Sequence, residues 1–230
     1  LEYNRDRLKD NMWGYNRHTD QTVNIYSAFL QNEWKNDRWG ILIGGRLDKH
    51  NMVDNVIFSP RANLRFNPTQ NINLRLSYSS GFRAPQAFDE DMHIENVGGT
   101  VAMIERAKDL KEEKSQSFSV SADMYHRFGA FQTNLLIEGF YTRLTDVFVL
   151  GEPYDRGDGI LVKTRSNGPG AKVMGLTLEG KVAYLSILQI QAGLTLQRSR
   201  YDEPHKWHDD APAEKKIFRT PDTYGYFTAT

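Results

Sequence analysis

The chain has 230 residues, with 29 Lys+Arg against 29 Asp+Glu and a formal net charge of zero. That balance excludes the basic excess of a nucleic-acid binder and the charge run of an acidic disordered tail. Cysteine is absent, so disulfides, zinc–thiolate sites and thiol catalysis are excluded. Mean hydropathy is −0.60, and no apolar run approaches the roughly 18 residues of a transmembrane helix. Yet Phe, Trp and Tyr make up 12% of the residues. Many aromatics in a polar average suit half-buried strands.

The first twenty residues show neither an initiator Met nor a basic-then-apolar leader. The last eleven, TPDTYGYFTAT, stop inside a strand-like pattern. Both ends read as cuts from a longer protein.

Between them the pattern has a period of two, the signature of strands with unlike faces. Residues 22–33 are apolar at both parities (Val23, Ile25, Phe29 and Tyr26, Ala28, Leu30), a strand of undefined facing. Residues 39–47 put Trp39, Ile41, Ile43 and Leu47 on one face. Residues 58–66 set Phe58, Ala62, Leu64 and Phe66 against Ser59, Arg61, Asn63 and Arg65. Residues 71–78 set Ile72, Leu74, Leu76 and Tyr78 against Asn71, Asn73, Arg75 and Ser77. Residues 99–114 hold the best helical candidate, a short helix inside a loop. Strands resume at 117–124, 131–147, 174–184 and 188–196, and 221–230 makes a weaker ninth. In 188–196, Leu188, Ile190, Ala192, Leu194 and Leu196 alternate with Gln189, Gln191, Gly193, Thr195 and Gln197.

Alternation alone fits a soluble secreted β-sandwich, a fold that binds carbohydrate in one alternative reading. Two features favour a transmembrane barrel. The strands run about nine to thirteen residues, and a tilted strand crossing a bilayer needs about nine to eleven. Connections also alternate in length. Short ones fall at 34–37, 67–71, 126–130 and 184–187; long ones fall at 48–55, 82–114, 148–171 and 201–220. Antiparallel neighbours then put every tight turn at one end, as in outer-membrane barrels. Low hydropathy follows, because only one face of each strand meets lipid. Trp34, Trp39, Phe58, Phe66, Tyr78, Phe82, Phe131 and Tyr184 near strand ends fit interfacial girdles.

Several motifs stand in a familiar order: QNEW at 31–34, GGRLDKH at 44–50, GFRAP at 81–85, DLKEEKSQSFSVSADMY at 109–125, NGPGAKVMGLTLEG at 167–180 and RTP at 219–221. On these stretches the chain resembles the barrel of TonB-dependent outer-membrane receptors over nearly its whole length. It departs at Leu110-Lys111-Glu112-Glu113, where the family usually shows Pro-Glu after the Leu. The resemblance implies an all-β, antiparallel up-and-down meander of about nine strands, part of a 22-stranded barrel in a Gram-negative outer membrane. Residues 1–230 would be partial barrel, without the plug domain and the last strands. The family imports scarce ligands such as siderophores or cobalamin with energy from the TonB complex. Partners would be TonB (through the missing N-terminal part), the chain's own plug, outer-membrane lipid and a small-molecule ligand, with no nucleic acid. No cofactor is implied.

No nucleophile elbow, triad or phosphate loop appears, so an enzyme is not expected. Arg61, Arg65 and Arg75 share the polar, lumenal face, with Arg83 nearby. They suit contacts to a plug or to an anionic ligand. His93 follows Asp89, Glu90 and Asp91 in the longest loop, another ligand-facing candidate or a structural rim. His205, His208, Asp209 and Asp210 form the densest metal-ligating group, at spacings that match no zinc signature. Arg156-Gly157-Asp158 reads first as a turn.

Overall fold

The computed structural model describes residues 1–86, 95–97, 100–185, 187–206, 212–217 and 220–230. They form strands β1 (Glu2–Met12), β2 (Arg17–Lys35), β3 (Trp39–His50), β4 (Ile57–Thr69), β5 (Ile72–Arg83), β6 (Glu95–Val97), β7 (Thr100–Arg106) and β8 (Glu113–Phe128). Then come β9 (Phe131–Thr145), β10 (Phe148–Leu150), β11 (Tyr154–Asp155), β12 (Leu161–Asn167), β13 (Ala171–Tyr184), β14 (Leu188–His205), β15 (Glu214–Lys216) and β16 (Thr223–Ala229).

The long strands make one antiparallel wall in chain order, β1-β2-β3-β4-β5-β8-β9-β13-β14. Its far edge is shared. β15 pairs the upper part of β14, at Arg200 and His205, and β16 pairs the lower part, from Ile190 to Leu196. Each strand pairs its sequence neighbour in the wall, so the Greek-key crossing of a sandwich is absent among the described residues.

Tight turns hold the lower end. Asn36 Oδ1 accepts from the Arg38 and Trp39 N–H groups at 3.0 and 2.8 Å, closing β2–β3. The β8–β9 turn has two residues, and Gly129 at φ +57° supplies the left-handed backbone it needs.

Register fixes the facing. One row runs Trp34, Ile41, Leu64, Leu76, Val120, Gly139, Leu176, Leu196 and Thr223 from β2 to β16. Leu76 is 52% and Val120 59% exposed, so among the described residues no second layer covers this face. A sandwich buries such rows; a barrel gives them to lipid. Aromatics gather toward the turn end. Trp39 stacks on Phe66 with centroids 4.3 Å apart, and Phe131 meets Phe128 at 5.4 Å and Tyr184 at 4.9 Å. Phe82 does otherwise: it packs on the small buried cluster of Val53, Ile57 and Ala84.

The structure corrects the sequence reading at the first strands and at residues 99–114, and adds a second sheet to the meander. The first strand expected at 22–33 is longer, starting at Arg17, and its facing is defined: Tyr26, Ala28, Leu30 and Trp34 point outward with the apolar row. A further strand, β1, precedes it and pairs only residues 17–27 of β2. This hairpin rises above β3, whose pairing with β2 begins at Ile25. Its 3-10 turn at Trp13–Tyr15 is a short connection at the long-loop end, so the loop alternation is not strict.

The helix expected in 99–114 is instead β7, followed by turns. Val101 and Ile104 are β-branched, and β7 finds a partner strand in β12, which outweighs the helical tendency read over 99–114. The meander is also not the whole fold. β6, β7, β10, β11 and β12 make a second sheet from two long loops, and β7–β12 pair in parallel.

Candidate functional site

The inward row through the middle of the wall reads Gly40, Arg65, Arg75, Ser121, Glu138, Thr177, Thr195 and Tyr224. Arg65 and Arg75 are direct register partners on β4 and β5. Like charges facing each other repel by a few tenths of a kcal/mol or more. Arg75 turns aside and donates from Nε to Asn73 Oδ1 at 2.8 Å. Arg65 leans over Gly40, where a Cβ would lie 3.3 Å from its Nε. That Nε is buried without a hydrogen-bond partner among the described residues. Arg61 lies two inward rows above, with Asn63 between, opposite Gly44 and Ser79 on the same face. The three arginines read from sequence therefore share the inward face, Arg65 and Arg75 as direct partners and Arg61 four residues along β4.

Arg83 stands apart at the upper rim. It pairs in register with Glu113, and its guanidinium sits 5.5 Å from the Phe148 ring centroid. Glu113 accepts from the Phe148 N–H at 3.3 Å. Arg83 thus joins the wall to the second sheet. His93, His208, Asp209 and Asp210 lie outside the described residues, and of His205 only the backbone is described, paired with Glu214. Among the described residues no group of three His, Cys, Asp or Glu side chains is placed to hold a metal ion.

The second sheet is built from the loops of the upper end. Met103 and Val162 are its core, 1% and 0% exposed. Asn167 binds its two parent loops together. Its Oδ1 accepts from Lys111 N–H at 2.7 Å, and its Nδ2 donates to Lys111 O at 3.1 Å and Asp146 O at 2.8 Å. Arg106 donates to Pro85 O at 2.7 Å. In the Arg156-Gly157-Asp158 turn, Arg156 donates to Asp158, and Asp155 Oδ1 accepts from the Gly157 and Gly159 N–H groups. The charge–charge hydrogen bond with Arg156 holds the Asp158 carboxyl below its ordinary pKa.

A buried polar group near β3's loop end escaped the sequence reading. Ser27 Oγ and Arg46 Nε both donate to Asp48 Oδ1, at 2.5 and 2.8 Å. Arg46 reaches Glu2 at 3.0 Å. His50, 1% exposed, sits beyond the apolar part of β3, which ends at Leu47. Its Nδ1 accepts from Met52 N–H at 3.1 Å, so the proton is on Nε2, which donates to Gln86 Oε1 at 3.4 Å. Desolvation by burial pushes the His50 pKa down, against smaller upward effects of Gln86 and Asp48. The signal was available: Arg46, Asp48 and His50 alternate in GGRLDKH and so share a face.

An antiparallel meander wall with one lipid-type face, one polar face, tight turns below and large loops above defines a transmembrane β-barrel segment. A comparison with protein families matches residues 1–230 to the TonB dependent receptor-like β-barrel. The chain belongs to that family. Among solved structures it is similar to the siderophore receptor PirA from Pseudomonas aeruginosa, with TM-score 0.72 and 17% identity over 87% of this chain and 38% of that one. It is also similar to the FrpB iron transporter from Neisseria meningitidis (F3-3 variant), with TM-score 0.58 and 17% identity over 86% and 28%. A mutant of the ferric enterobactin receptor PfeA from P. aeruginosa gives TM-score 0.58 and 16% identity over 91% and 37%. These likenesses concern the fold, and the chain spans less than two fifths of each receptor's length. Comparison with curated proteins finds no match.

Proposed function

We propose that this chain is wall and outer loops of an outer-membrane importer of a scarce anionic chelate, a ferric siderophore being the leading class. The observation that carries this is the row of Arg61, Arg65 and Arg75 on the inward face, with the buried Arg65 Nε left without a partner among the described residues. Such a group needs an anion: a carboxylate of a plug domain, or the ligand itself. Import against a gradient needs energy, which in this reading comes from TonB through an N-terminal plug. The membrane is the outer membrane of a Gram-negative bacterium. Siderophore and iron-transport receptors among the similar structures support the substrate class. The reaction is transport, with no covalent step assigned to this chain.

The test is uptake of radioiron–siderophore complexes by cells carrying or lacking the full-length gene. TonB-dependent uptake lost on deletion, and reduced at least tenfold by Arg65→Gln/Arg75→Gln, is the expected result. Unchanged uptake of every chelate tried, with and without the gene, would overturn it.

A further inference from the structure

The inward face keeps its charges apart. Successive inward rows cross the wall through Ser117, Ser119, Ser121 and Asp123 of β8. In these rows the charged side chains of β4 and β5 are all cations, Arg61, Arg65 and Arg75. Those of β8, β9 and β13 are all carboxylates, Asp123, Glu138 and Glu179. β3 contributes no charge to them, and on β2 Glu33 and Lys35 offset each other. Arg75, Ser121 and Glu138 are successive partners, so Arg75 and Glu138 stand two strands, about 10 Å, apart. Glu179 lies one row lower, in line with Asn73, Asp123 and Leu136. Above Asp123 the strip between the two signs holds only Ser77, Ser79, Ser117, Ser119 and Ser121.

A sheet gains from setting unlike charges opposite each other. The chain does this on its first hairpin, where Arg7 meets Asp20 at 3.0 Å and Arg17 meets Asp10 at 2.8 Å. In the inward rows it does not. Arg65 faces Gly40 and Arg75, and Arg61 faces Gly44 and Ser79. Glu138 faces Ser121 and Thr177, and Glu179 faces Leu136 and Gly193. Asp123 alone of the three acids is engaged, accepting from Tyr125 Oη and Asn134 Nδ2 at 2.8 and 2.5 Å. Among the described residues, Arg61, Arg65, Glu138 and Glu179 make no hydrogen bond or ion pair. The net charge of zero therefore conceals a dipole across the inward wall. Such a field is focused inside an enclosure with low-dielectric walls.

We propose that the imported chelate carries both signs. Its anionic metal-binding part runs along Arg61, Arg65 and Arg75, and a cationic arm, an amine or a guanidine, faces Glu138 and Glu179. Arginines alone accept any anion. Carboxylates set across from them attract a cation and repel a second anionic group, so the wall selects by the separation of charge as well as by its sign. The inference rests on the importer reading above and adds the acidic side of the wall to it.

Cells making the full-length receptor are given radioiron complexes of two synthetic tris-catecholates of one size. One bears a free pendant primary amine, and in the other that amine is acetylated. Uptake is scaled to the amount of folded, heat-modifiable receptor in the membrane. The amine-bearing complex is expected to enter about fivefold faster at limiting concentration. Glu138→Gln/Glu179→Gln is expected to bring the two rates together, and Glu138→Asp/Glu179→Asp to restore most of the difference. Arg65→Gln/Arg75→Gln is expected to slow both complexes. Equal rates in wild type overturn the proposal, as does a preference that survives removal of both carboxylates. An equal fall of both complexes in the Gln variant assigns Glu138 and Glu179 to a plug contact and also overturns it. Uptake of neither complex by folded wild-type receptor overturns the importer reading, and this inference with it, and is distinct from the other outcomes.

Discussion

Leu176 and Leu196 lie directly opposite each other on β13 and β14, and they keep 40% and 45% of their surface exposed. Two leucines in the middle of long strands normally bury each other under a second layer. Here their neighbours Val120 and Leu76 are bare as well. Their solvent is lipid.

Leu176→Arg is therefore expected to destabilise the receptor in vesicles by about 2–4 kcal/mol, the cost of a cation near mid-bilayer. Gln189→Arg, on the inward face of β14, is expected to cost less than about 1 kcal/mol. Urea titration of the receptor refolded into phospholipid vesicles checks the difference. Equal costs at the two sites contradict the assigned facing.

The outward face also contains a packed step. A Cβ at Gly45 would lie 2.6 Å from Phe58 Cε2, so the Phe58 ring covers the bare backbone of β3. Gly45→Ala displaces that ring and is expected to cost about 1–3 kcal/mol. Phe58→Leu removes the clash, so Gly45→Ala costs less in that background. Denaturant midpoints of the four proteins test this, and strict additivity counts against it.

Asn167 is the hub between two loops far apart in sequence. Asn167→Ala removes three hydrogen bonds to Lys111 and Asp146. Each is worth about 0.5–1.5 kcal/mol net. Limited proteolysis is expected to cut residues 146–170 faster, with the wall intact. Unchanged cleavage would mean that Met103 and Val162 hold the loop sheet without this hub.

His50 gives the upper rim a pH dependence of definite sign. Its folded pKa lies below the ordinary 6.5, because burial disfavours the charged ring. The neutral ring's contribution is then complete above the unfolded pKa and is lost as pH falls through the folded value. A proton on Nδ1 also ends its acceptance from Met52 N–H. Hydrogen exchange at Met52 and Gln86 is expected to quicken as pH falls below the ordinary 6.5 and through the depressed His50 pKa, after correction for intrinsic rates. His50→Gln is expected to abolish that pH dependence. The same dependence in the variant assigns it to another group.

Legibility from sequence followed the lipid. Where strands cross the bilayer, as at 188–196, one face must be apolar and the other wet, so period two is plain and the register confirms it. The hairpin of β1 and early β2 carries Arg5, Arg7 and Lys9 on one face and Asp6 and Asp10 on the other, so no apolar period marks it. The β7–β12 pairing joins residues about sixty positions apart, and no local pattern encodes it. The arginines of the inward face were readable because Arg61, Arg65 and Arg75 share parity with Asn63 and Ser77. Glu138 was not, because Leu136 and Phe140 share its parity and hide the polar face of β9.

The central claim is that the even face of β14 meets lipid. This chain contributes no cysteine, so an engineered cysteine is the single labelling site within it. Spin labels at Leu194 and Gln191 of the full-length receptor in bilayers measure collisions with oxygen and with a water-soluble nickel chelate. The Leu194 label is expected to favour oxygen and exclude nickel, with the Gln191 label less lipid-exposed. A Leu194 label that meets nickel freely, or that meets neither reagent, contradicts the account.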